Sequence, residues 1–361
     1  MAEKTLIEGI REAMDEELAR DESVFITGED VGPRGGVFRA TLGLFAKYGP
    51  TRVIDSPLAE LSIVAVGIGA AMNGLRPICE IQFADFIQPA YNQIVNEAAR
   101  MYYRTGGTFT VPMVIRTPYG GGIGGGLYHS QSIEATYAHV PGLKVVIPSN
   151  PRDAKGLLKS AVRDNNPVLF LEPKKGYRLI KGDVPDDDYV VPIGVANISR
   201  PGSDLSVYAY GMMHFYCLQA AEEVAKDGID VEVIDLRTLN PLDKATVLNS
   251  FQKTGKALIV YEDNRFLGYG AEIAAILADE GFNYMDAPIT RVAGPDVPAV
   301  PYSHPLQDWF MPNPKKIADA MRTLARYYTP TTQHVLRDAC CVNRRIHGYP
   351  GYHAPVGRER G

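Results

Sequence analysis

The first group in the sequence that could do chemistry is an acid following a serine and a proline. Glu60 ends the segment DSPLAE and precedes a long apolar run. Ser56 predicts a helix N-cap and Pro57 suits the first helical position, so a helix is predicted over 57–73. A capping box would place its acid one residue earlier, where the chain has alanine. We therefore expect Glu60 to be a buried carboxyl suited to proton transfer, the alternative being an acid favoured only by the helix dipole.

A histidine directly follows a run of glycines. The segment YGGGIGGGLYHSQS contains a formal GxGxxG. However, the next strand ends without the acid that a dinucleotide site requires. The glycines instead predict backbone lying close to a substrate channel or a partner subunit. His129 falls on a loop at the carboxyl end of a strand, among hydroxyl and amide groups, so we expect it to take part in proton transfer; a structural histidine is the alternative.

The third candidate is the segment EIQFADF, which ends one predicted strand and begins a helix. Gln82, Phe83 and Phe86 combine one amide with two aromatic rings. Such a combination at the carboxyl end of a strand predicts an apolar slot with one polar contact. The same rings could equally belong to a hydrophobic core.

These groups must be positioned by alternating strands and helices with short connections, which predict a parallel α/β sheet. Helices are predicted over 4–20, 57–73, 86–105 and 151–163, and strands over 24–27, 52–55, 76–83, 111–116, 143–148 and 168–172. A second α/β unit is predicted, with strands over 205–210, 231–235 and 257–262 and helices over 212–227, 271–280 and 313–328. The predicted domains are 1–185 and 204–328, joined by a linker at 186–203 rich in turn-forming residues. The arginine-rich segment 329–361 is predicted to be a flexible or docking tail.

The composition is that of an ordinary globular protein. The chain has 361 residues, 45% of them hydrophobic, with a net charge of −5 that argues against nucleic acid as the main partner. Its four cysteines form no CxxC pair, so we expect free thiols in a reducing compartment. The amphipathic, acid-bearing start is unlike a targeting segment, and the longest apolar run is shorter than the roughly 20 residues that span a bilayer. We expect a cytoplasmic location.

Four motifs together resemble a known family. DSPLAE, EIQFADF, YHSQSIEA and EVIDLRTLNPLD occur in this order. They resemble the β subunits of thiamine-diphosphate-dependent 2-oxoacid dehydrogenases, relatives of transketolase, and the resemblance covers roughly residues 4–328. It implies an α/β fold of two parallel-sheet domains: a pyrimidine-binding domain and a transketolase-like C-terminal domain.

The resemblance also implies roles for five residues. Glu60 matches the family acid that contacts N1′ of the cofactor's aminopyrimidine, and Phe86 matches the ring that stacks on that pyrimidine. Leu58 and Gln82 match neighbouring pocket contacts. His129 matches the family histidine that assists acyl transfer to lipoamide.

A missing motif points to a partner. The family binds diphosphate and magnesium through a GDG and a later NN on its α chain, and this sequence has no GDG. The resemblance therefore implies an α subunit that completes the site, in an assembly of two α and two β chains, and a lipoyl-bearing acyltransferase docked on the C-terminal domain. It also implies a potassium ion held by backbone carbonyls, the alternative being an ordinary loop. The matching positions are Val111, Met113, Val114, Ala161, Asp164 and Asn166.

The substrate and the reaction class leave alternatives. YHSQS followed by EA favours a branched-chain 2-oxoacid over pyruvate. The alternatives are a pyruvate or acetoin dehydrogenase β subunit, a one-chain enzyme of transketolase type, and a non-catalytic assembly scaffold. The missing GDG argues against the one-chain enzyme, and the presence of Glu60, Phe86 and His129 argues against the scaffold.

Overall fold

The computed structural model describes residues 1–327, so the predicted tail 329–361 lies outside the described residues. The strands are β1 Ala2–Thr5, β2 Val24–Gly28, β3 Val53–Asp55, β4 Arg76–Glu80, β5 Val114–Tyr119, β6 Lys144–Val146, β7 Val168–Pro173, β8 Lys181–Val184, β9 Asn197–Arg200, β10 Leu205–Ala209, β11 Val231–Asp235, β12 Thr238–Asn240, β13 Ala257–Asn264 and β14 Thr290–Gly294. The α-helices are α1 Leu6–Arg20, α2 Leu44–Tyr48, α3 Glu60–Met72, α4 Met101–Arg104, α5 Glu134–Ala138, α6 Pro151–Arg163, α7 Gly176–Leu179, α8 Gly211–Ala225, α9 Lys244–Thr254, α10 Gly270–Asp279, α11 His304–Phe310 and α12 Pro314–Ala325.

Two large sheets organise the described chain, and they confirm the predicted parallel α/β fold. The first has seven strands in the order β12-β6-β7-β5-β4-β2-β3, and the second has five in the order β14-β13-β10-β11-β9. Neighbouring strands are parallel except at β12 and β9, which are antiparallel to β6 and β11. The predicted linker 186–203 thus contains β9, which belongs to the second sheet.

The helices lie in two layers on opposite faces of the sheets. One core contains buried residues of α1, α6, α8 and α12, and the other contains buried residues of α3, α5, α9 and α10. Successive side chains of a strand point to opposite faces, as for Val207 in the first core and Tyr208 in the second. In the described part of the chain, no helix is long and apolar enough to cross a membrane.

Strong capping signals fix the predicted helix α6. The Asn150 side chain accepts a hydrogen bond from the Asp153 backbone N–H at 2.9 Å, and Pro151 occupies the first turn. This arrangement pairs an N–H that the helix itself leaves without a partner. Helix α6 therefore begins and ends where the sequence predicts.

Two predicted helices differ from the structure. The helix predicted over 86–105 is broken into 3-10 turns at Ala84–Phe86 and Gln88–Ala90, a π-helical segment at Gln93–Ala98, and α4. Pro89 lies within this stretch, and proline removes a hydrogen bond and clashes with the preceding turn of an α-helix.

The predicted start of α3 is also wrong. The helix begins at Glu60 with Ala59 at its N-cap, and residues 56–59 do not have a helical conformation. The Ser56 hydroxyl donates to the Pro57 carbonyl at 2.6 Å and caps no helix. Glu60 is consequently the first helical residue.

Candidate functional site

The loops that carry the candidate residues leave one edge of the first sheet. Strands β2, β3, β4, β5 and β7 are mutually parallel, so their carboxyl ends share that edge. Gly28 pairs with both Asp55 and Glu80, which aligns the ends of β3, β2 and β4. The segment leading to Glu60 follows β3, and Gln82 follows β4. Ligand sites of parallel sheets lie at this edge.

Leu58 and Glu60 lie at this edge of the sheet, and both side chains are at least partly exposed. Leu58 is 72% exposed, a high value for a leucine, and Glu60 is half-buried. The expected burial of Glu60 is therefore not found among residues 1–327, where its side chain, in the first turn of α3, is only half-buried. The charge of Glu60 also affects a second acid, Glu29. Burial is the main cause that raises the pKa of Glu29, and the charges of Asp30 and Glu60 raise this pKa further.

Three rings meet at the same sheet edge. The His129 imidazole lies edge-to-face against Phe83, with 4.6 Å between ring centroids, and against Phe86 at 5.4 Å. Phe83 and Phe86 also contact each other edge-to-face at 5.7 Å. Both phenylalanines and Gln82 are half-buried, so part of each is exposed. The structure thus brings together EIQFADF and His129, which the sequence could only treat separately.

The segment of residues 120–133, here called the His129 loop, is held by side chains from elsewhere in the chain. The Asp85 carboxylate accepts the backbone N–H groups of Ser130 and Gln131, both at 3.1 Å. Glu262, in the second sheet, accepts the N–H of Gly121 at 2.9 Å. At Gly120, φ is +87° and an added Cβ would lie 2.7 Å from the Glu262 carboxylate, so glycine is required there. The loop is an ordered part of the site.

A buried ion triad lies at the same sheet edge, where sequence reasoning identified no functional group. The Arg116 guanidinium donates to both oxygens of Glu172 at 2.7 Å and also to Glu80. Tyr177 donates its hydroxyl to Glu172. All four side chains are buried. Because buried charges are tolerated only when paired, the triad fixes the ends of β4, β5 and β7 relative to one another.

Lys174 is a second group that sequence reasoning missed, because no motif singles out a lysine after a strand. It is buried, and its Nζ lies 5.8 Å from the Phe83 ring centroid. Burial lowers its pKa to about 8, against the opposing effects of Asp85 and Glu262. Its ammonium has no hydrogen-bond partner among residues 1–327.

A cavity of about 1240 Å³ lies beside the His129 loop and not around Glu60. Ser130, Gln131 and Ser132 line one wall, and Glu262 and Asp263 of the second sheet line another. Leu58 and Phe86, at the sheet edge, are not among the residues that line this cavity. The cavity therefore borders the loop without containing the candidate acid.

The six carbonyl positions expected to bind potassium lie before β5 and around the end of α6. Arg76 donates to the Asp164 carbonyl at 2.9 Å and to the neighbouring Val162 carbonyl at 2.8 Å. The Met113 carbonyl accepts the Val168 N–H at 3.0 Å. Arg76 thus already supplies a positive charge to this loop. The other expected positions are Val111, Val114, Ala161 and Asn166.

Helix α3 presents an apolar surface that residues 1–327 leave uncovered. Ile63, Val64 and Gly67 are buried, yet on the opposite side Val66 is 62% exposed and Leu61 is 44% exposed. Apolar residues all round a helix are typical of a helix enclosed on every side. An added Cβ at Gly69 would meet nothing within 4 Å, so another backbone could approach closely there.

Comparisons with known proteins agree with this architecture. Residues 2–180 match the family described as transketolase, pyrimidine binding domain, and residues 194–317 match transketolase, C-terminal domain. A solved structure titled split gene transketolase, inactive beta4 tetramer, superposes with a TM-score of 0.73 at 22% identity, covering 90% of this chain and 99% of that one. At this identity the likeness shows the fold alone.

Curated relatives identify the family. The 2-oxoisovalerate dehydrogenase subunit beta of Bacillus subtilis is 55% identical over 91% of this chain and 100% of its own length. The pyruvate dehydrogenase E1 component subunit beta of the same organism is 45% identical with the same coverage. The 2-oxoisovalerate dehydrogenase subunit beta of Pseudomonas aeruginosa is 45% identical over 88% of this chain and 94% of its own. The chain belongs to the family of 2-oxoacid dehydrogenase β subunits.

Proposed function

We propose that this chain, with an α subunit, decarboxylates a branched-chain 2-oxoacid using thiamine diphosphate and transfers the acyl group to the lipoyl group of an acyltransferase. The observation that carries the proposal is that Leu58, Glu60 and Phe86 follow neighbouring strands at one sheet edge and are all at least partly exposed, as is the apolar surface of α3. An acid, an aromatic ring and exposed apolar surface form half of an enclosed site. The other half must come from another chain.

The residues at this edge fit an aminopyrimidine. Phe86 offers a ring face for stacking, Leu58 and Gln82 offer one apolar and one polar contact, and the Glu60 carboxyl would hold a proton at N1′. When bound, thiamine diphosphate supplies the carbanion that attacks the 2-oxo carbon and accepts electrons as carbon dioxide leaves. Covering Glu60 with a partner would remove it from water and favour the protonated form that this role requires.

The diphosphate and magnesium are assigned to the α subunit. Magnesium prefers near-octahedral oxygen ligands, including phosphate and carboxylate oxygens. In the family these ligands belong to the GDG motif, which this sequence lacks. The exposed apolar surface of α3 is a suitable part of the α interface, since contiguous apolar surface commonly marks protein contacts. Paired sites favour an assembly of two α and two β chains.

The branched-chain assignment rests on the relatives and on the loop sequence. The relative named 2-oxoisovalerate dehydrogenase is 55% identical, whereas the pyruvate dehydrogenase relative from the same organism is 45% identical. His129 would assist acyl transfer, because its loop borders both the rings and the cavity. The C-terminal domain would dock the acyltransferase. Pyruvate dehydrogenase is the second candidate, supported by the same family membership.

Potassium at the expected carbonyls remains a separate proposal. Only Asp164 among the six positions has a charged side chain, and Arg76 already donates to its carbonyl. A bound cation and the Arg76 guanidinium would compete for the same oxygen. The ion therefore requires Arg76 to move aside or to share that carbonyl.

The test combines assembly, binding and turnover. The chain alone, an α chain alone and their mixture are compared by mass in solution and by calorimetry with thiamine diphosphate and magnesium. We expect the mixture alone to decarboxylate, with a higher kcat/KM for 2-oxoisovalerate than for pyruvate. Tight cofactor binding and decarboxylation by the isolated chain would overturn the half-site proposal. A preference for pyruvate or acetoin would overturn only the substrate assignment.

A further inference from the structure

The His129 loop is held by two carboxylates that come from different sheets. Asp85 follows β4 in the first sheet and binds the end of the loop at Ser130 and Gln131. Glu262 belongs to β13 in the second sheet and binds the start of the loop at Gly121. The position of His129 therefore depends on both carboxylates as acceptors, and ionisation strengthens an acceptor, since hydrogen bonds to charged groups are roughly twice as strong as neutral ones.

Burial opposes that ionisation. Burial raises the pKa of Glu262, and the charges of Lys174 and Lys175 oppose this effect. Asp263, next in the chain, adds a like charge that further disfavours ionised Glu262. The Asp85 oxygen Oδ2 is buried without a hydrogen-bond partner in the described part of the chain. A nearby positive charge would stabilise the ionised form of buried Glu262 and would offset the partnerless Asp85 oxygen.

Lys174 is placed to supply that charge to both. Its backbone N–H donates to the Tyr119 carbonyl at 3.3 Å, at the point where the His129 loop leaves β5. Asp85 and Glu262 are the two charges that act on its ammonium. Asp85 Oδ2 and Lys174 Nζ are each buried without a hydrogen-bond partner among residues 1–327, and Lys174 forms no ion pair with either carboxylate there, so its charge acts on them across a longer distance.

Lys174 lies near a ring that contacts the histidine. Lys174 Nζ lies 5.8 Å from the Phe83 ring centroid, and that ring lies edge-to-face against His129 at 4.6 Å. Phe83 therefore separates the ammonium from the imidazole, and Lys174 acts on His129 through its neighbours and not by contact.

We propose that Lys174 is a positioning residue for His129: its buried ammonium, next to Phe83, supplies a positive charge that acts on the two carboxylates holding the His129 loop without forming an ion pair with either. This inference rests on the proposed function where it concerns acyl transfer, and on the geometry alone where it concerns the order of the loop. If Lys174 were only a buried counter-ion, it would stabilise the fold and its loss would affect decarboxylation and acyl transfer alike.

The first experiment needs no activity. Backbone hydrogen–deuterium exchange is compared for the full wild-type chain and for Lys174→Met, which keeps most of the side-chain volume and removes the charge. We expect faster exchange within residues 120–133 and unchanged exchange in the strands of the second sheet. Unchanged exchange in the His129 loop would overturn the proposal, as would a general rise throughout the chain. If Lys174→Met does not fold, Lys174→Gln and Asp85→Asn are measured in its place under the same criteria.

The second experiment separates positioning from stability in the assembled enzyme. For Lys174→Met with the α subunit, we expect the rate of lipoyl-domain acylation to fall by about tenfold or more and decarboxylation, followed with an artificial electron acceptor, to fall by less than about threefold. In Lys174→Met/Asp85→Asn the removed positive charge is matched by a removed negative charge, and an amide oxygen still accepts from the loop. The double variant should therefore recover part of the acylation rate. Equal losses in both half-reactions, or no recovery, would overturn the proposal.

The pH profile gives an independent readout. The pKa of Lys174 is lowered to about 8, so its charge disappears as the pH rises through that value. The groups acting on it are Asp85 from the first sheet and Glu262 from the second, with Lys175 and Asp263 acting on Glu262. We expect the ratio of acylation to decarboxylation to fall above pH 8 in the wild type and to stay level in Lys174→Met. Parallel pH profiles of the wild type and Lys174→Met would overturn the proposal. A wild-type assembly that catalyses neither half-reaction would count against the proposed function instead. In that case the hydrogen–deuterium exchange result alone would decide whether Lys174 orders the His129 loop.

Discussion

Two neighbouring regions of the same sheet edge are built in opposite ways. At the Glu60 end, Leu58 is 72% exposed and an apolar helix surface has no cover. At the His129 end, Ser130 is 2% exposed and the loop backbone is bound by acids from both sheets. The first region is open, whereas the second is held by contacts within this chain. If the proposed function holds, cofactor activation is the step that depends on assembly, and the loop proposed for acyl transfer is preorganised.

The largest effect is expected at the open end. Glu60→Gln keeps the shape and a hydrogen bond to N1′ but transfers no proton, so kcat of the assembled enzyme should fall roughly 10²–10⁴-fold. Steady-state decarboxylation with the α subunit measures this. The control is Glu8→Gln, another first-turn acid, which caps α1 and should leave kcat unchanged. A Glu60→Gln enzyme that keeps more than about a tenth of wild-type kcat would remove Glu60 from the mechanism.

At the preorganised end, the loss should be restricted to one half-reaction. His129→Ala should slow acylation of the lipoyl domain by about 10²-fold, because a proton-transfer group is lost. Decarboxylation measured with an artificial electron acceptor should change little, since Glu60 is untouched. If the two rates fall equally, His129 acts earlier in the reaction or only supports the loop.

The uncovered helix can be tested without any chemistry. Val66→Lys places a charge on the exposed surface of α3, so the isolated chain should fold normally. Its affinity for the α subunit should fall by at least about 30-fold, as when an interface hot spot is lost. Sedimentation or calorimetry with the α chain measures the loss. Phe282→Lys, a change at a 68% exposed position outside α3, is the matched control. Normal assembly of Val66→Lys would exclude this surface from the interface.

The smallest effect is expected at the proposed potassium site, which lies at neither the Glu60 end nor the His129 end of the sheet edge. If potassium binds the carbonyls around Asp164, replacing potassium with sodium should lower the melting temperature by about a few degrees. Ionic strength is held constant, and lithium provides a second comparison. A melting temperature indifferent to the cation would remove the ion and leave Arg76 and Lys144, which pairs with the Asp164 carboxylate, as positive partners of that loop.

The sequence predicts the fold class and several elements because their signals are local. Helix α6 matches because Asn150 and Pro151 mark its start, and β11 matches because a short apolar run is bounded by polar residues. The prediction of one helix over 86–105 is wrong because it followed the apolar periodicity of this stretch and overlooked Pro89. Proline interrupts an α-helix. Among the strands and α-helices, those that the sequence did not predict are β1, β8, β9, β12, β14, α2, α5, α7, α9 and α11.

The site was predictable only in part for a related reason. Glu60, Phe86 and His129 lie in motifs, so the resemblance identifies them. Lys174, Asp85 and Glu262 come together only when two sheets fold, and no local pattern marks a buried lysine or the acid that binds a distant glycine. The burial expected for Glu60 differs because the apolar run after it predicts a buried helix, whereas the described residues leave part of α3 exposed; on the proposed function, the α subunit covers this surface.

Strand β12 has a consequence for dividing the protein. Although it follows β11 in the second half of the chain, it pairs with β6 and forms the border of the first sheet. A fragment ending in the 186–203 segment would leave the backbone groups of β6 without their neighbour. Bare edges of this kind template pairing between molecules and promote aggregation. We therefore expect the two halves to be insoluble when expressed separately and to require co-expression.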